Sequence, residues 1–155
     1  MKSLALGALL LAFAGCSGSP PPAPFPFQEA TCPGDQDLTL GAVLRNCPPS
    51  RTGIMSASAQ IYPSYQIERS GVPFTVGVDD QKRIHYIGTT DPRFVTPEGI
   101  SVGSILADVR RAGGAAVFPE PGWAAHSALP SGWHAAFTEG APRDRSRVTF
   151  LFRRD

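Results

Sequence analysis

Apolar and polar positions alternate with a period of two over residues 65–69, 73–78 and 83–88, the spacing of strands buried on one face. Asp79-Asp80-Gln81-Lys82 supplies turn chemistry between the last two runs, which therefore predict a hairpin. On its returning strand, strict alternation puts Ile84 and Tyr86, with Gly88 as a candidate, on the core face and His85 and Ile87 opposite, but the mix of residues leaves the register open. Residues 89–99 read as a loop because Pro92 and Pro97 interrupt regular structure. Residues 115–118 suggest a short strand. Residues 132–138 and 147–152 form a second predicted hairpin, joined by Gly-Ala-Pro-Arg-Asp-Arg-Ser, with Val148, Phe150 and Phe152 sharing a core face.

A helical pattern starts at Ser104, a candidate N-cap, and carries Ile105, Val109 and Ala112 on one face. Asp108 complements its first turn and Gly113-Gly114 ends it. The motif that opens it, Ile100-Ser101-Val102-Gly103-Ser104-Ile105-Leu106, repeats Leu38-Thr39-Leu40-Gly41-Ala42-Val43-Leu44 at an offset of 62 residues. The earlier copy is expected to form a short helix ending before Pro48-Pro49. The fold class expected is α+β: short helices packed on an antiparallel sheet, with two related α/β units as a candidate duplication.

The start of the chain changes its address. An apolar run over residues 4–14, too short to span a bilayer as a mature helix, follows Lys2 and leads into Leu11-Ala12-Phe13-Ala14-Gly15-Cys16. This stretch resembles the lipobox of bacterial lipoprotein precursors, with Phe13 in place of the usual Leu. The resemblance implies removal of residues 1–15, acylation of Cys16, and attachment to the membrane through acyl chains. Ser17 in place of Asp implies sorting to the outer membrane in a Gram-negative cell, and attachment to the cell membrane otherwise. An ordinary secretory signal cleaved near Gly15 is the alternative. Residues 17–28, Ser-Gly-Ser-Pro-Pro-Pro-Ala-Pro-Phe-Pro-Phe-Gln, then read as an extended tether of roughly 35 Å, unusual in carrying Phe25 and Phe27. Residues 29–155 have the length of one globular domain.

Lys2 is the only charge in residues 1–15, so the mature chain carries 13 basic against 13 acidic residues. That balance argues against a nucleic-acid partner, which would need an excess of cations, and leaves lipid to hold the protein at the bilayer. With Cys16 assigned to lipid, Cys32 and Cys47 remain as a pair in an oxidising compartment and are expected to form a disulfide. No histidine accompanies them at the spacing of a metal site.

A second resemblance rests on the Arg83-Ile84 strand, Asp91-Pro92-Arg93-Phe94, and Thr96-Pro97-Glu98-Gly99-Ile100-Ser101-Val102-Gly103-Ser104. This run is similar to the helix start of the SmpA/OmlA (BamE-like) outer-membrane lipoproteins and of β-lactamase-inhibitor-like α/β repeat proteins. It implies helices on an antiparallel sheet and a role in binding or envelope assembly with an envelope protein partner. Its residues are structural, and none is catalytic.

Catalytic chemistry has little support in the chain. Ser127 beside His126 does not make a nucleophile and base by adjacency, and Ser56 and Ser58 lack the glycines of a nucleophile elbow. His126 and His134 have no third metal ligand near them in sequence. No metal or cofactor is expected. Asp79, Asp80 and Asp91 sit where turns use aspartate. Gly122-Trp123 and Gly132-Trp133 bracket a proline-punctuated loop that contains His126, and Trp123, His126 and Trp133 are the candidate binding residues. Either tryptophan can instead close the core, the favoured reading for Trp133, on a predicted strand, and an even one for Trp123. The function expected is a lipid-anchored envelope binding or assembly module that is not an enzyme. Inhibition of a secreted or periplasmic enzyme is the alternative reading, and an envelope hydrolase a more distant one.

Overall fold

The computed structural model describes residues 30–50, 52–55 and 61–155. The apolar run, Cys16, the proline-rich segment, Ser56 and Ser58 lie outside the described residues. In chain order the elements are β1 (Ala30–Thr31), β2 (Gly53–Met55), β3 (Ile61–Arg69), β4 (Val72–Val78), β5 (Ile84–Thr89), α1 (Leu106–Arg111), β6 (Phe118–Pro119), β7 (Ala125–Ala128), β8 (His134–Phe137) and β9 (Phe150–Arg154). The strands make one mixed sheet in the order β1-β3-β4-β5-β9-β8-β7-β6, with β2 also paired to β3. Only the β1–β3 pairing is parallel among these.

This architecture corrects the α+β expectation: a mostly β domain carries a single helix of six residues among its described residues. It also departs from the several helices implied by the resemblance to the outer-membrane lipoproteins and inhibitor-like repeats. Backbone pairing explains why the earlier motif is not a helix. Gly41 N–H donates to the Ile84 carbonyl at 2.8 Å, Ile84 N–H to Ala42 at 2.9 Å and Leu44 N–H to Lys82 at 3.0 Å, so residues 41–44 are consumed by the start of β5. Gly41, at φ +80°, makes the turn that brings them there. The two motifs therefore adopt different structures, and the two-unit duplication is not what the sheet shows.

The later motif does lead into α1, but Ser104 does not cap it. Ile105 holds the N-cap position without a side-chain bond, and Ser104 Oγ instead accepts from Ser101 N–H at 3.1 Å. The first helical N–H groups, of Leu106 and Ala107, donate to the Ser146 and Asp144 carbonyls of the loop that precedes β9. A backbone acceptor thus replaces the hydroxyl. At the other end Gly113, at φ +84°, and Gly114 return N–H groups to Arg110 and Val109, the pattern that closes helices at glycine.

One sheet face is the main core. Tyr65 and Ile67 of β3, Phe74, Val76 and Val78 of β4, Ile84 and Ile87 of β5, Leu151 of β9 and Ala135 and Phe137 of β8 pack beneath Leu106 and Val109 of α1. Both predicted hairpin pairings are present, Val76 opposite Ile87 and Ala135 opposite Leu151. The register within β5 differs from strict alternation. Gly77 pairs with Tyr86 but Val78 pairs with Ile84, leaving His85 as an extra residue. This bulge switches the parity, so Ile84 and Ile87 share the main core while Tyr86 turns to the opposite face. Phe150 and Phe152 also lie on that second face, whereas Val148 precedes β9 and packs into the main core.

Cys32 and Cys47 form a disulfide across 15 residues, with Cys32 buried in the main core. Closing a loop of that length contributes about 3 kcal/mol by restricting the unfolded chain. A Cys32→Ser, Cys47→Ser double variant is expected to lose about that much stability in urea unfolding, with the β-sheet circular dichroism of the remaining native protein unchanged.

Candidate functional site

The second face carries an aromatic cluster of its own and a row of polar side chains. Cross-strand pairing sets Gln66, Thr75, Gly88, Phe152 and His134 in one row running from β3 to β8. Tyr86, Ala124, Ala136 and Phe152 form its small buried apolar cluster, with Ile54, Trp123 and Phe150 packed around them. Tyr86 stacks near Phe152 at 6.1 Å between centroids and meets the Trp123 ring edge-on at 6.0 Å.

Beside this cluster opens a pocket of about 460 Å³, lined by Tyr86, Trp123 and Phe150 on its aromatic side and by Gln66 and Thr75 on its polar side. Its floor is Gly88. A Cβ there would collide with the Tyr86 ring, which lies across the glycine, so the absence of a side chain at Gly88 leaves room for the phenol. Burial pushes the Tyr86 phenol up to about 12 against the opposing charge of Arg154, and the group stays protonated at neutral pH. Thr75 Oγ1 accepts from Gln66 Nε2 at 2.8 Å, which leaves the threonine proton to donate. Thr89 is already engaged in both directions, donating to the Pro73 carbonyl and accepting from Asp91 N–H. No residue lining the pocket carries a charge at neutral pH.

A buried polar chain runs along the far side of the aromatic cluster. Arg154 donates to both oxygens of Glu120, at 3.1 and 2.7 Å. Glu120 Oε2 lies 3.1 Å from His126 Nε2, and His126 Nδ1 lies 3.1 Å from His134 Nδ1. Burial opposes ionisation of Glu120, but the hydrogen bonds and charge of Arg154, with those of His126, hold its pKa below the usual value. Burial lowers the pKa of His126, aided by Arg154 and opposed by Glu120. His134 is pushed down to about 4 by burial, His126 and Arg154. With both imidazoles neutral, the network assigns one arrangement: His126 Nε2–H donates to Glu120, and His126 Nδ1 accepts from His134 Nδ1–H. Both rings contact Phe152, His134 stacked at 4.8 Å and His126 edge-on at 5.4 Å.

The three candidate binding residues are thus separated. Trp123 is half-buried at the pocket wall, with its Nε1 buried and without a hydrogen-bond partner among the described residues. His126 is buried in the polar chain. Trp133 is buried in the main core, tilted against Phe94 at 4.6 Å. The stretch between the Gly-Trp pairs is also not a loop throughout, because residues 125–128 form β7 and pair with β8. Ser127 is fully buried and its hydroxyl donates to the Ala115 carbonyl at 2.6 Å, so it does not face His126 as a nucleophile would. Asp79 accepts from Gln81 and Arg83 N–H groups, and Asp91 from Arg93, as turn residues do.

Sequence reasoning missed Tyr86, Glu120 and Arg154. Phe150, Phe152 and Arg154 alternate along β9, and that spacing was the available signal for Arg154; Glu120 had none, since its partners lie in other strands. No cluster of three or more potential metal ligands occurs among the described residues, nor is any helix there long and apolar enough to cross a membrane. The chain matches no protein-family model, no curated protein and no solved structure.

His85 sits in the opposite electrostatic setting. Burial would lower its pKa, but the hydrogen bond it donates to Asp79 and the charge of Asp155, 2.5 Å from Nδ1, raise it. Its contribution to stability is therefore present below its unfolded value of 6.5 and lost as pH rises through the raised folded value. His126 and His134 have depressed folded values, so their neutral forms support the fold above 6.5. Their contribution falls away as pH drops below 6.5 through the lowered folded values, which for His134 means towards about 4. A proton NMR titration is expected to resolve three histidines, one midpoint above 6.5 that is lost in His85→Gln and two below it. Three midpoints clustered near 6.5 would contradict the buried chain.

Proposed function

We propose that the protein is a lipid-anchored envelope protein that works by binding, and that its ligand enters the pocket between Trp123, Tyr86 and Phe150 on the second sheet face. The carrying observation is the pocket itself, a concave aromatic site of ligand size with convergent polar groups and no charge in its lining. Such a lining favours an uncharged ring, because an ion would lose its hydration without gaining a counter-charge. Anchoring rests on the Leu11-Ala12-Phe13-Ala14-Gly15-Cys16 stretch, and the proline-rich segment after it suits a tether. A tethered domain of this kind would meet its ligand close to the membrane, with lipid supplying the attachment.

Two measurements test the two halves of this reading. Radiolabelled fatty acid is expected on the wild-type protein and not on Cys16→Ser; equal label on both would overturn the anchoring. For the pocket, the neutral fluorophore N-phenyl-1-naphthylamine is expected to bind the unacylated Cys16→Ser chain saturably. Thr75→Phe, which fills the pocket from β4 with a residue suited to a strand, should reduce that binding at least tenfold while leaving the melting temperature close to its original value. Equal binding by both chains, or no binding by either, would remove the pocket from the function.

A further inference from the structure

The pocket's hydrogen-bonding capacity narrows the ligand further, an inference that rests on the binding role proposed above. Three features of the second face bear on it. First, the Tyr86 hydroxyl, held over Gly88 at the pocket floor, makes no hydrogen bond to another described residue. The phenol is therefore a donor without an acceptor among the described residues. Second, Thr75 stands directly across from Gly88 on the neighbouring strand, and its oxygen is occupied by Gln66 while its proton is not. The two hydroxyl donors thus project from adjacent strands at the same floor. Third, Trp123 and Phe150 also line the pocket, and their rings offer flat apolar surface and no competing acceptor.

A ligand that satisfies all three features carries oxygen acceptors on one edge and apolar C–H groups on a face. A purely aromatic compound would fill the walls and leave both hydroxyl protons unmet, at the cost of desolvating them. A carboxylate or phosphate would find donors but no cation in the lining. The Arg154 guanidinium, which lies over the Trp123 ring, is already committed to Glu120 by two hydrogen bonds. A pyranose ring fits each requirement: its hydroxyls and ring oxygen accept along the edge, and its axial C–H groups lie against aromatic rings. We infer that the pocket binds an uncharged sugar residue, with Tyr86 and Thr75 donating to its oxygens and Trp123 and Phe150 covering its face.

The test is calorimetric titration of the full chain, held in a detergent without sugar headgroups, with methyl glucoside, N-acetylglucosamine, glucuronate and indole. At least one neutral sugar is expected to bind saturably, and glucuronate at least tenfold more weakly than its neutral counterpart. Tyr86→Phe keeps the ring that packs on Phe152 and removes only the donor. It should weaken the neutral sugar about fivefold while the melting temperature stays unchanged. Failure of both neutral sugars, with the fluorophore still entering, would overturn the sugar assignment and leave the pocket standing. If the fluorophore fails as well, the binding role itself falls. Glucuronate binding as tightly as its neutral counterpart, or a Tyr86→Phe protein that binds sugar undiminished, would each overturn the inference, as would indole binding more tightly than both neutral sugars.

Discussion

The fold depends on one insertion: β9, the last strand in the chain, lies between β5 and β8 and joins two meanders that otherwise do not pair. On one side β3, β4 and β5 run antiparallel in sequence order, and on the other β6, β7 and β8 do the same. Phe152 is held by Gly88 on one flank and His134 on the other, and Leu151 by Thr89 and Ala135. Pairing over such sequence distances is reached only after the intervening chain has closed its loops. The loop before β9 is itself tied down, since its carbonyls receive the first N–H groups of α1. Helix, loop and central strand consequently order together.

That insertion also creates the second face. Alternation along β9 sends Leu151 into the main core and Phe150, Phe152 and Arg154 to the other side. Phe152 touches Tyr86, Trp123, His126 and His134, so the aromatic wall of the pocket and the buried polar chain share a single ring. The bulge at His85 is the second condition. Without the parity switch Tyr86 and Gly88 would both face the main core, and the second face would lose its phenol.

How far the chain's pattern anticipated this follows from where local preference and tertiary pairing agree. The hairpin of β4 and β5 and the pairing of β8 with β9 were legible, because period-two alternation and turn residues point the same way. The helix was legible in place but not in its cap, since a distant loop supplies the acceptors that Ser104 was expected to supply. The earlier motif misled because Gly41 and the pairing with Ile84 outweigh a pattern shared with α1. β7 was illegible for a different reason. Ala-His-Ser-Ala has little intrinsic strand preference, and only its neighbours β6 and β8 make it a strand. At the site, the Gly-Trp spacing marked Trp123 and His126 as candidates, whereas Tyr86 was assigned to the wrong face because a bulge cannot be read from alternation.

The little apolar surface that β6 and β7 bury gives the polar chain its structural sense. β6 has two residues, both exposed, and β7 contributes alanine, histidine and serine, so this edge of the sheet has few large side chains to bury. Arg154, Glu120, His126 and His134 instead link β9, the residue after β6, β7 and β8 through hydrogen bonds that have to be met together. Burying such charges is seldom a net gain in stability over apolar packing, and what it supplies is discrimination among registers. A one-residue slip of β7 would turn His126 away from Glu120 and His134 and leave a bidentate ion pair without its third partner. On an edge whose side chains are too small to fix the register by packing, the polar chain specifies the alignment that keeps Phe152 in contact with both imidazoles and with the pocket wall.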